Sequence, residues 1–145
     1  MIIAVGSDHK GFALKKEIID LVTLMGFEIM DFGTGSEVPV DYPKFAYLVS
    51  KAVATGKAYR GILVSATGID MSIVANKIKG VIAARCVNWK EAQISREQNS
   101  SNVLCLGEDA DINLIIEVWL TVRFDAHQFN HQIEQISQIE GTHAS

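Results

Sequence analysis

The sequence contains few of the features that mark metal-binding, secreted or membrane-spanning proteins. It has two cysteines, Cys86 and Cys105, and neither a CxxC pair nor an HExxH motif, the spacings typical of zinc ligands. No apolar run approaches the roughly 20 residues that a membrane-spanning helix needs. The chain starts on a predicted strand, without the pattern of a signal peptide. We therefore expect no metal, no membrane segment, buried reduced thiols and a cytoplasmic location.

Positive charge is also scarce, since the formal net charge is −4 at pH 7. Binding to nucleic acid or to anionic membranes through bulk charge is therefore not expected. An anionic small molecule would need a few cations and backbone N–H groups placed locally. The sequence lacks the G-x-G-x-x-G and G-x-x-x-x-G-K-[ST] patterns, so a dinucleotide or a nucleoside triphosphate is not favoured.

The 145 residues are enough for one domain with one core. Short apolar runs alternate with stripes of helical period, which predicts a parallel sheet with helices on both faces. The absence of a linker or an internal repeat favours a single domain of residues 1–145. The predicted strands are 2–5, 27–32, 61–64, 81–84 and 103–106. A helix follows each of the first four strands, and these helices are predicted to end near Gly26, Gly56, Lys77 and Gln98.

The C-terminal segment carries one further amphipathic pattern. Phe129, Ile133, Ile136 and Ile139 form an apolar stripe at helical spacing. Such a helix can cover its own sheet or pack on a second subunit, and the pattern alone leaves both interpretations open.

Two strand–turn–helix junctions are the most informative parts of the chain. The first strand runs into the turn at residues 6–11, and the third strand runs into Ser65-Ala66-Thr67-Gly68, with a helix starting around Asp70 to Ser72. Both turns are expected at the carboxyl edge of a parallel sheet, where α/β proteins form their sites. Their backbone N–H groups can face an anion.

Chemically active side chains follow both strands. Asp8 and His9 place a carboxylate beside an imidazole, which suits binding of substrate hydroxyls and proton transfer. Asp8 can equally cap the first helix. In the second turn, Ser65 and Thr67 either cap the helix or direct hydroxyls at a developing oxyanion. Asp70, the only carboxylate of that loop, is open to the same two interpretations.

Two other residues have less specific signals. Tyr42, before Pro43, either starts a helix or places a hydroxyl over the pocket. Asn99 and Asn102 follow the fourth predicted helix, where either residue suits a turn. Together the turns and side chains predict a site for a small polyhydroxylated anion such as a sugar phosphate.

Several motifs resemble those of one family over nearly the whole chain. GSDHKG, DFGT, DYP, SATGIDMSIVANKIKGV and SREQNSSNVLCLG are similar to ribose-5-phosphate isomerase B and the related galactose-6-phosphate isomerase subunits. The resemblance implies a Rossmann-like three-layer α/β/α sandwich with a five-stranded parallel sheet. It further implies a homodimer or tetramer with sites between subunits and the C-terminal helix packed on the partner. The activity implied is interconversion of ribose 5-phosphate and ribulose 5-phosphate through an enediolate, without metal or cofactor.

The resemblance also assigns roles to individual residues. Asp8 and His9 match a substrate-binding pair, Tyr42 matches a pocket tyrosine and Asn99 matches a loop asparagine, while residues 66–71 match the loop that holds the oxyanion. The predicted substrate-binding residues are Asp8, His9, Tyr42, Ala66, Thr67, Gly68, Ser72 and Asn99, and the predicted catalytic residues are His9, Ser65, Thr67 and Asp70.

The chain departs from the family pattern at the base and at the phosphate anchor. Ser65 replaces the cysteine base of one branch, and Met71 replaces the glutamate base of the other. A serine hydroxyl is a much weaker base than a thiolate. Asp70 replaces a glycine. The resemblance places a ring-opening histidine at Gln98 and phosphate-binding arginines at Gln128 and Gln132, so a bidentate cation is missing.

These departures leave two interpretations. In one, the chain is a working isomerase with a rearranged site, and the retained pocket residues favour this interpretation. In the other, it is a non-catalytic partner subunit or a sugar-phosphate binding module. The working site would use Asp70 as proton shuttle, His9, His127 or His131 as acid, and Arg85, Arg96 or Arg123 as substitute anchor.

Overall fold

Five strands alternate with six helices in the computed structural model, which describes residues 1–143. The predicted domain of residues 1–145 includes residues 144 and 145, which lie outside the described part. The strands are β1 (Ile2–Ser7), β2 (Glu28–Asp31), β3 (Arg60–Val64), β4 (Ala83–Arg85) and β5 (Val103–Leu106), and the helices are α1 (Phe12–Leu24), α2 (Pro43–Ala54), α3 (Ile69–Ala75), α4 (Trp89–Glu97), α5 (Ile112–Thr121) and α6 (Ala126–His143).

All strand pairs are parallel, and their order across the sheet is β2-β1-β3-β5-β4. The chain moves outward from β1 to β2 and then returns to β3 on the other side of β1. The strand order therefore reverses between β1 and β3, and ligands of open α/β sheets bind in the crevice beyond such a point. The prediction of a five-stranded parallel sheet is confirmed.

Apolar side chains on both faces of the sheet hold the helices in place. Ile3 and Val5 of β1 point to the face covered by α1, α4 and α5, and Ala4 points to the face covered by α2 and α3. This alternation follows from the two-residue period of a strand. Cys86 and Cys105 are buried on opposite faces, so the expectation of buried thiols is correct.

The predicted boundaries lie within two residues of the observed ones. Strand β1 continues through Gly6 and Ser7, which the sequence assigns to the turn, because both residues pair with β3. Gly26 and Gly56 follow α1 and α2 with φ of +93° and +80°, as expected for glycines that end helices. The fourth strand starts at Ala83, two residues later than predicted, because Val81 belongs to a turn and its N–H donates to Ile78 O. Val81 is buried, so its apolar character reflects core packing and not strand pairing.

Helix α6 runs along the edge of the sheet at which the strands begin, here called the amino edge. Near its start, Asp125 N–H donates to Glu97 O at the end of α4. Near its end, Glu140 Oε2 accepts a hydrogen bond of 2.9 Å from Gly80 N. Ile136 and Ile139 of the apolar stripe are exposed. Within residues 1–143, no helix is both long and apolar enough to cross a membrane.

Candidate active site

The two predicted turns meet at the opposite edge, where the strands end, here called the carboxyl edge. Asp8 N–H donates to Val64 O at 3.3 Å, which links the end of β1 to the end of β3. A Cβ atom on Gly11 would lie 2.4 Å from Val64 O and 3.0 Å from Ser65 N. Only glycine permits this approach of the two backbones. The prediction that the turns lie side by side is therefore correct.

The Asp8 carboxylate shapes the first turn. Its Oδ1 atom accepts hydrogen bonds from Lys10 N at 3.1 Å and Gly11 N at 3.0 Å. Helix α1 itself has no side-chain cap, since its N-cap residue is Gly11. Within residues 1–143, Oδ2 has no hydrogen-bond partner. One carboxylate oxygen thus fixes the turn, and the other remains available for a ligand hydroxyl.

The neighbouring imidazole is oriented by a distant segment. Val40 N–H donates to His9 Nδ1 at 3.2 Å. Because a backbone N–H can only donate, Nδ1 acts as the acceptor, and the proton of the neutral ring lies on Nε2. In this tautomer the His9 Nε2–H group can donate to a ligand oxygen. No pattern in the sequence indicates this contact across 31 positions.

The loop that carries Val40 is anchored by a buried lysine. Lys15 Nζ donates to Asp31 Oδ1 at 2.8 Å and to Thr34 O at 2.6 Å. The same loop pairs with the end of β1, because Ser7 N donates to Gly33 O and Thr34 N donates to Ser7 O. The Lys15 ammonium thereby fixes the backbone beside Ser7, one residue before Asp8.

Replacement of Asp31 by asparagine is expected to lower the free energy of unfolding by about 2 kcal/mol. The Lys15 side chain is 1% exposed, so its ammonium would lose its only carboxylate partner within the described residues. The Asp31 side chain is 42% exposed, which keeps the loss below that of a fully buried ion pair. Urea unfolding measures the change, with Asp41→Asn, an exposed carboxylate of the same loop, as control. Equal stability of the two variants would contradict the anchoring role.

In the second turn, Ser65 is fully buried and its hydroxyl makes two hydrogen bonds. Ser65 Oγ accepts from Gly68 N at 2.8 Å and donates to Asp70 Oδ1 at 2.7 Å. Thr67 Oγ1 accepts from Ile69 N at 3.1 Å, so the Thr67 hydroxyl pairs with the first N–H group of α3. The serine and the carboxylate that replaces a glycine thus form a hydrogen-bonded pair.

The turn is fastened to its neighbours through its carbonyl groups. Glu108 N donates to Ala66 O at 3.0 Å, and Arg85 Nε donates to Thr67 O at 2.8 Å. Gly107 allows this contact, because a Cβ there would lie 2.6 Å from the Thr67 carbonyl carbon. Within the described chain, the N–H groups of Ala66, Thr67 and Asp70 have no acceptor, so they are available to an oxyanion.

Asp70 is the half-buried carboxylate of this loop. Its Oδ1 atom accepts from Met71 N at 2.8 Å as well as from Ser65. Burial raises the pKa of the Cys105 thiol, and the nearby charges of Cys86 and Asp70 add to the effect, which places the carboxylate close to β5. Because Asp70 occupies the Met71 amide, the start of α3 offers fewer groups to an anion than predicted.

Two predicted substrate-binding residues, Ser72 and Tyr42, and the neighbouring Met71 contact other groups of the same chain. Ser72 Oγ donates to Ile69 O at 2.7 Å within α3, so this hydroxyl is already paired. Met71 is buried in the core on the α2 and α3 face. Tyr42 is half-buried against the same core, and its carbonyl accepts from Phe45 N and Ala46 N of α2.

Asn99 lies at the amino edge, away from the other predicted site residues of the same chain. It is exposed and follows the end of α4, a helix that runs back from the carboxyl edge. Asn102, close by, bonds the start of β4 through Ile82 N and Gly80 O, so this asparagine has the turn role. The amino edge also carries α6 with Gln128 and Gln132, and with His127 and His131.

Comparison with known proteins identifies the family. A family model described as Ribose/Galactose Isomerase matches residues 3–136. The chain belongs to the ribose/galactose isomerase family. Ribose-5-phosphate isomerase B of Escherichia coli (strain K12) is 39% identical over 142 residues, which cover 95% of each chain. Ribose-5-phosphate isomerase B of Clostridium thermocellum superposes with a TM-score of 0.94 at 41% identity over 99% of each chain.

A third relative carries a ligand. Ribose-5-phosphate isomerase B of Mycoplasma genitalium, solved with bound ribulose-5-phosphate, has a TM-score of 0.91 at 33% identity, covering 97% of this chain and 96% of that one. These superpositions confirm the Rossmann-like α/β sandwich that the sequence motifs imply. Packing of α6 on a partner subunit stays a prediction.

The charges at the site of this chain differ from the pattern that the resemblance describes. Ser65 and Asp70 form a pair where the resemblance describes a cysteine and a glycine. Of the three arginines considered as anchors, Arg96 is buried and donates to Ser101 O, and burial together with the charge of Arg60 lowers its pKa to about 10. Arg123 follows α5 at the amino edge. Arg85, at the end of β4, lies at the carboxyl edge.

Proposed function

We propose that this chain interconverts ribose 5-phosphate and ribulose 5-phosphate through an enediolate. The observation that carries the proposal is the Ser65–Asp70 pair. It lies next to the Asp8–His9 turn and beside three amides that have no acceptor within residues 1–143. The family membership and the ribulose-5-phosphate bound to the Mycoplasma genitalium relative support the same substrate. No metal or cofactor takes part in the proposed reaction.

The proposed reaction moves one proton between neighbouring carbons. The Asp70 carboxylate takes the proton from C2 of the open-chain aldose, and the C1 oxygen gains the negative charge of the enediolate. The amides of Ala66, Thr67 and Asp70 stabilise that oxygen. Asp70 then returns the proton to C1, while the proton of the C2 hydroxyl moves to the C1 oxygen. His9 Nε2–H and Asp8 bind and orient the sugar oxygens.

Asp70 is the proposed base because the Ser65 hydroxyl is already engaged. Ser65 Oγ is buried, gives its single proton to Asp70 and accepts from Gly68. A carboxylate accepts a proton directly, whereas a serine would first have to lose one. In this proposal Ser65 is a positioning residue that orients the Asp70 carboxylate.

A turnover assay tests the function. The purified full-length chain is expected to form ribulose 5-phosphate from ribose 5-phosphate well above the uncatalysed rate. Calorimetric titration with ribose 5-phosphate is the companion measurement. Binding without turnover would support the binding-module or partner-subunit interpretation. Gln128 and Gln132, at the positions where the resemblance places phosphate-binding arginines, favour that interpretation.

We further propose a homodimer in which each site takes residues from both copies. Asn99 lies at the amino edge, whereas Asp70 of the same chain lies at the carboxyl edge. The apolar stripe of α6 also leaves Ile136 exposed. A second copy would bring an amino edge to the site.

We propose a cytoplasmic location for the chain because both thiols are free, as is usual in reducing compartments.

Co-expression of two inactive variants tests the shared site. Asp70→Asn and Asn99→Ala are each expected to be strongly impaired alone. Random pairing makes half of the dimers mixed, each with one intact site, so the mixture should regain about a quarter of the wild-type activity. Activity no higher than the average of the two separate variants would place the whole site within one chain.

A further inference from the structure

A sugar phosphate needs a cation at the site, and the exposed Lys10 of the first turn is one that the carboxyl edge offers. Of the four arginines of the chain, all within the described part, Arg60, Arg96 and Arg123 lie at the amino edge. Arg85 ends β4 at the carboxyl edge. The buried Lys15 ammonium already binds Asp31 and Thr34. Arginine, unlike lysine, can bind a phosphate through two parallel hydrogen bonds.

The Arg85 guanidinium lies beside the loop of residues 65–70. Its Nε donates to Thr67 O at 2.8 Å, and this bond fixes the plane of the group. Its Nη2 atom contacts Asp109 Oδ2 at 3.3 Å, longer than the roughly 2.7–2.9 Å of strong charge-assisted hydrogen bonds. Within residues 1–143, the Nη1 atom has no partner.

The ion pair with Asp109 is exposed and therefore weak. The Arg85 and Asp109 side chains are 32% and 59% exposed, and pairs of this kind contribute little to stability. A phosphate dianion carries more charge than one carboxylate and can displace it from the guanidinium. Asp8 and Asp70 give the same edge negative charge, so a dianion there needs this compensation.

We propose that Arg85 binds the phosphate group of the substrate and that Asp109 occupies the guanidinium when the site is empty. This inference rests on the proposed function for the identity of the substrate, although phosphate binding itself can be measured without turnover. Asp109 then acts as a competitor that sets the affinity for phosphorylated ligands, and Arg85 distinguishes them from unphosphorylated sugars.

Two substitutions of opposite effect test the proposal. Arg85→Gln removes the charge and keeps an amide N–H that can reach Thr67 O, so KM for ribose 5-phosphate and Ki for inorganic phosphate should rise about 10- to 100-fold. Asp109→Asn removes the competitor, so both constants should fall about threefold. Lys57→Gln, an exposed cation in the turn before β3, is the control and should change neither constant.

The readouts separate anchoring from a structural role. If Arg85 only holds Thr67 in place, Arg85→Gln will lower kcat while phosphate affinity stays unchanged, and the proposal is wrong. If the chain shows no turnover, calorimetric titration with inorganic phosphate compares the phosphate affinity of the same variants. Turnover with unchanged constants in both variants rejects Arg85 as anchor and leaves the isomerase proposal intact. If the chain shows no turnover but binds phosphate in a way that depends on Arg85, the result supports Arg85 as anchor and rejects the isomerase proposal.

Discussion

Asp70→Asn is expected to lower kcat for ribose 5-phosphate about 1,000-fold and to change KM by less than about threefold. The asparagine oxygen still accepts hydrogen bonds from Ser65 Oγ and Met71 N, so the loop should keep its shape. The amide has no basic site for the substrate proton, which isolates the loss to the chemical step. Steady-state kinetics on the full-length chain provide the measurement.

Ser65→Ala serves as the matched variant of the same pair. It removes the donor to Asp70 and the acceptor for Gly68 N, so a smaller loss of about 10-fold in kcat is expected from poorer positioning. Asp20→Asn, an exposed carboxylate on α1, controls for the change in net charge. Full activity of Asp70→Asn with loss of activity in Ser65→Ala would reverse the proposed roles of the two residues.

Gly11→Ala is expected to reduce activity about 100-fold by separating the two turns. The added methyl group would meet Val64 O at 2.4 Å and Val64 C at 2.6 Å, and these backbone atoms belong to the sheet. Gly11 has an ordinary φ of −93°, so the effect comes from the contact and not from backbone strain. The same overpacking should lower the free energy of unfolding by about 2 kcal/mol.

Gly35→Ala is the control for this substitution. Gly35 lies in the loop after β2, and a Cβ there would meet nothing within 4 Å. Wild-type kinetics and stability are therefore expected. Chemical unfolding and steady-state kinetics on both variants provide the measurement. Wild-type activity and stability of Gly11→Ala would show that the turns need not touch for activity.

The fold was predictable because its signals are local. Each strand is a short apolar run, and β5 begins and ends at the predicted residues, Val103 and Leu106. The meeting of the turns at 6–11 and 65–68 also follows from the sequence, because parallel strands end at the same edge of a sheet. Strand order and the closeness of Gly11 to Val64 needed the structure.

The site was less predictable because its decisive contacts join distant residues or depend on side-chain direction. The contact of Val40 N with His9 Nδ1 links two loops that have no shared pattern. The sequence leaves open whether Asp70 caps α3 or faces a ligand. In the structure Asp70 Oδ1 accepts from Met71 N and Ser65 Oγ and the side chain is half-buried, so the contact with the helix start is present and the contact with a ligand stays a proposal. The resemblance groups Asn99 with the site, although within one chain Asn99 lies at the amino edge.

The burial of both thiols bears on how the chain reacts with oxidants. Burial raises the pKa of Cys86 to about 11 and raises that of Cys105 as well, so both groups stay protonated at neutral pH. A protonated, enclosed thiol reacts slowly with peroxide or alkylating reagents. Because Ser65 stands where the resemblance places a cysteine base, such reagents find no thiolate to attack at position 65.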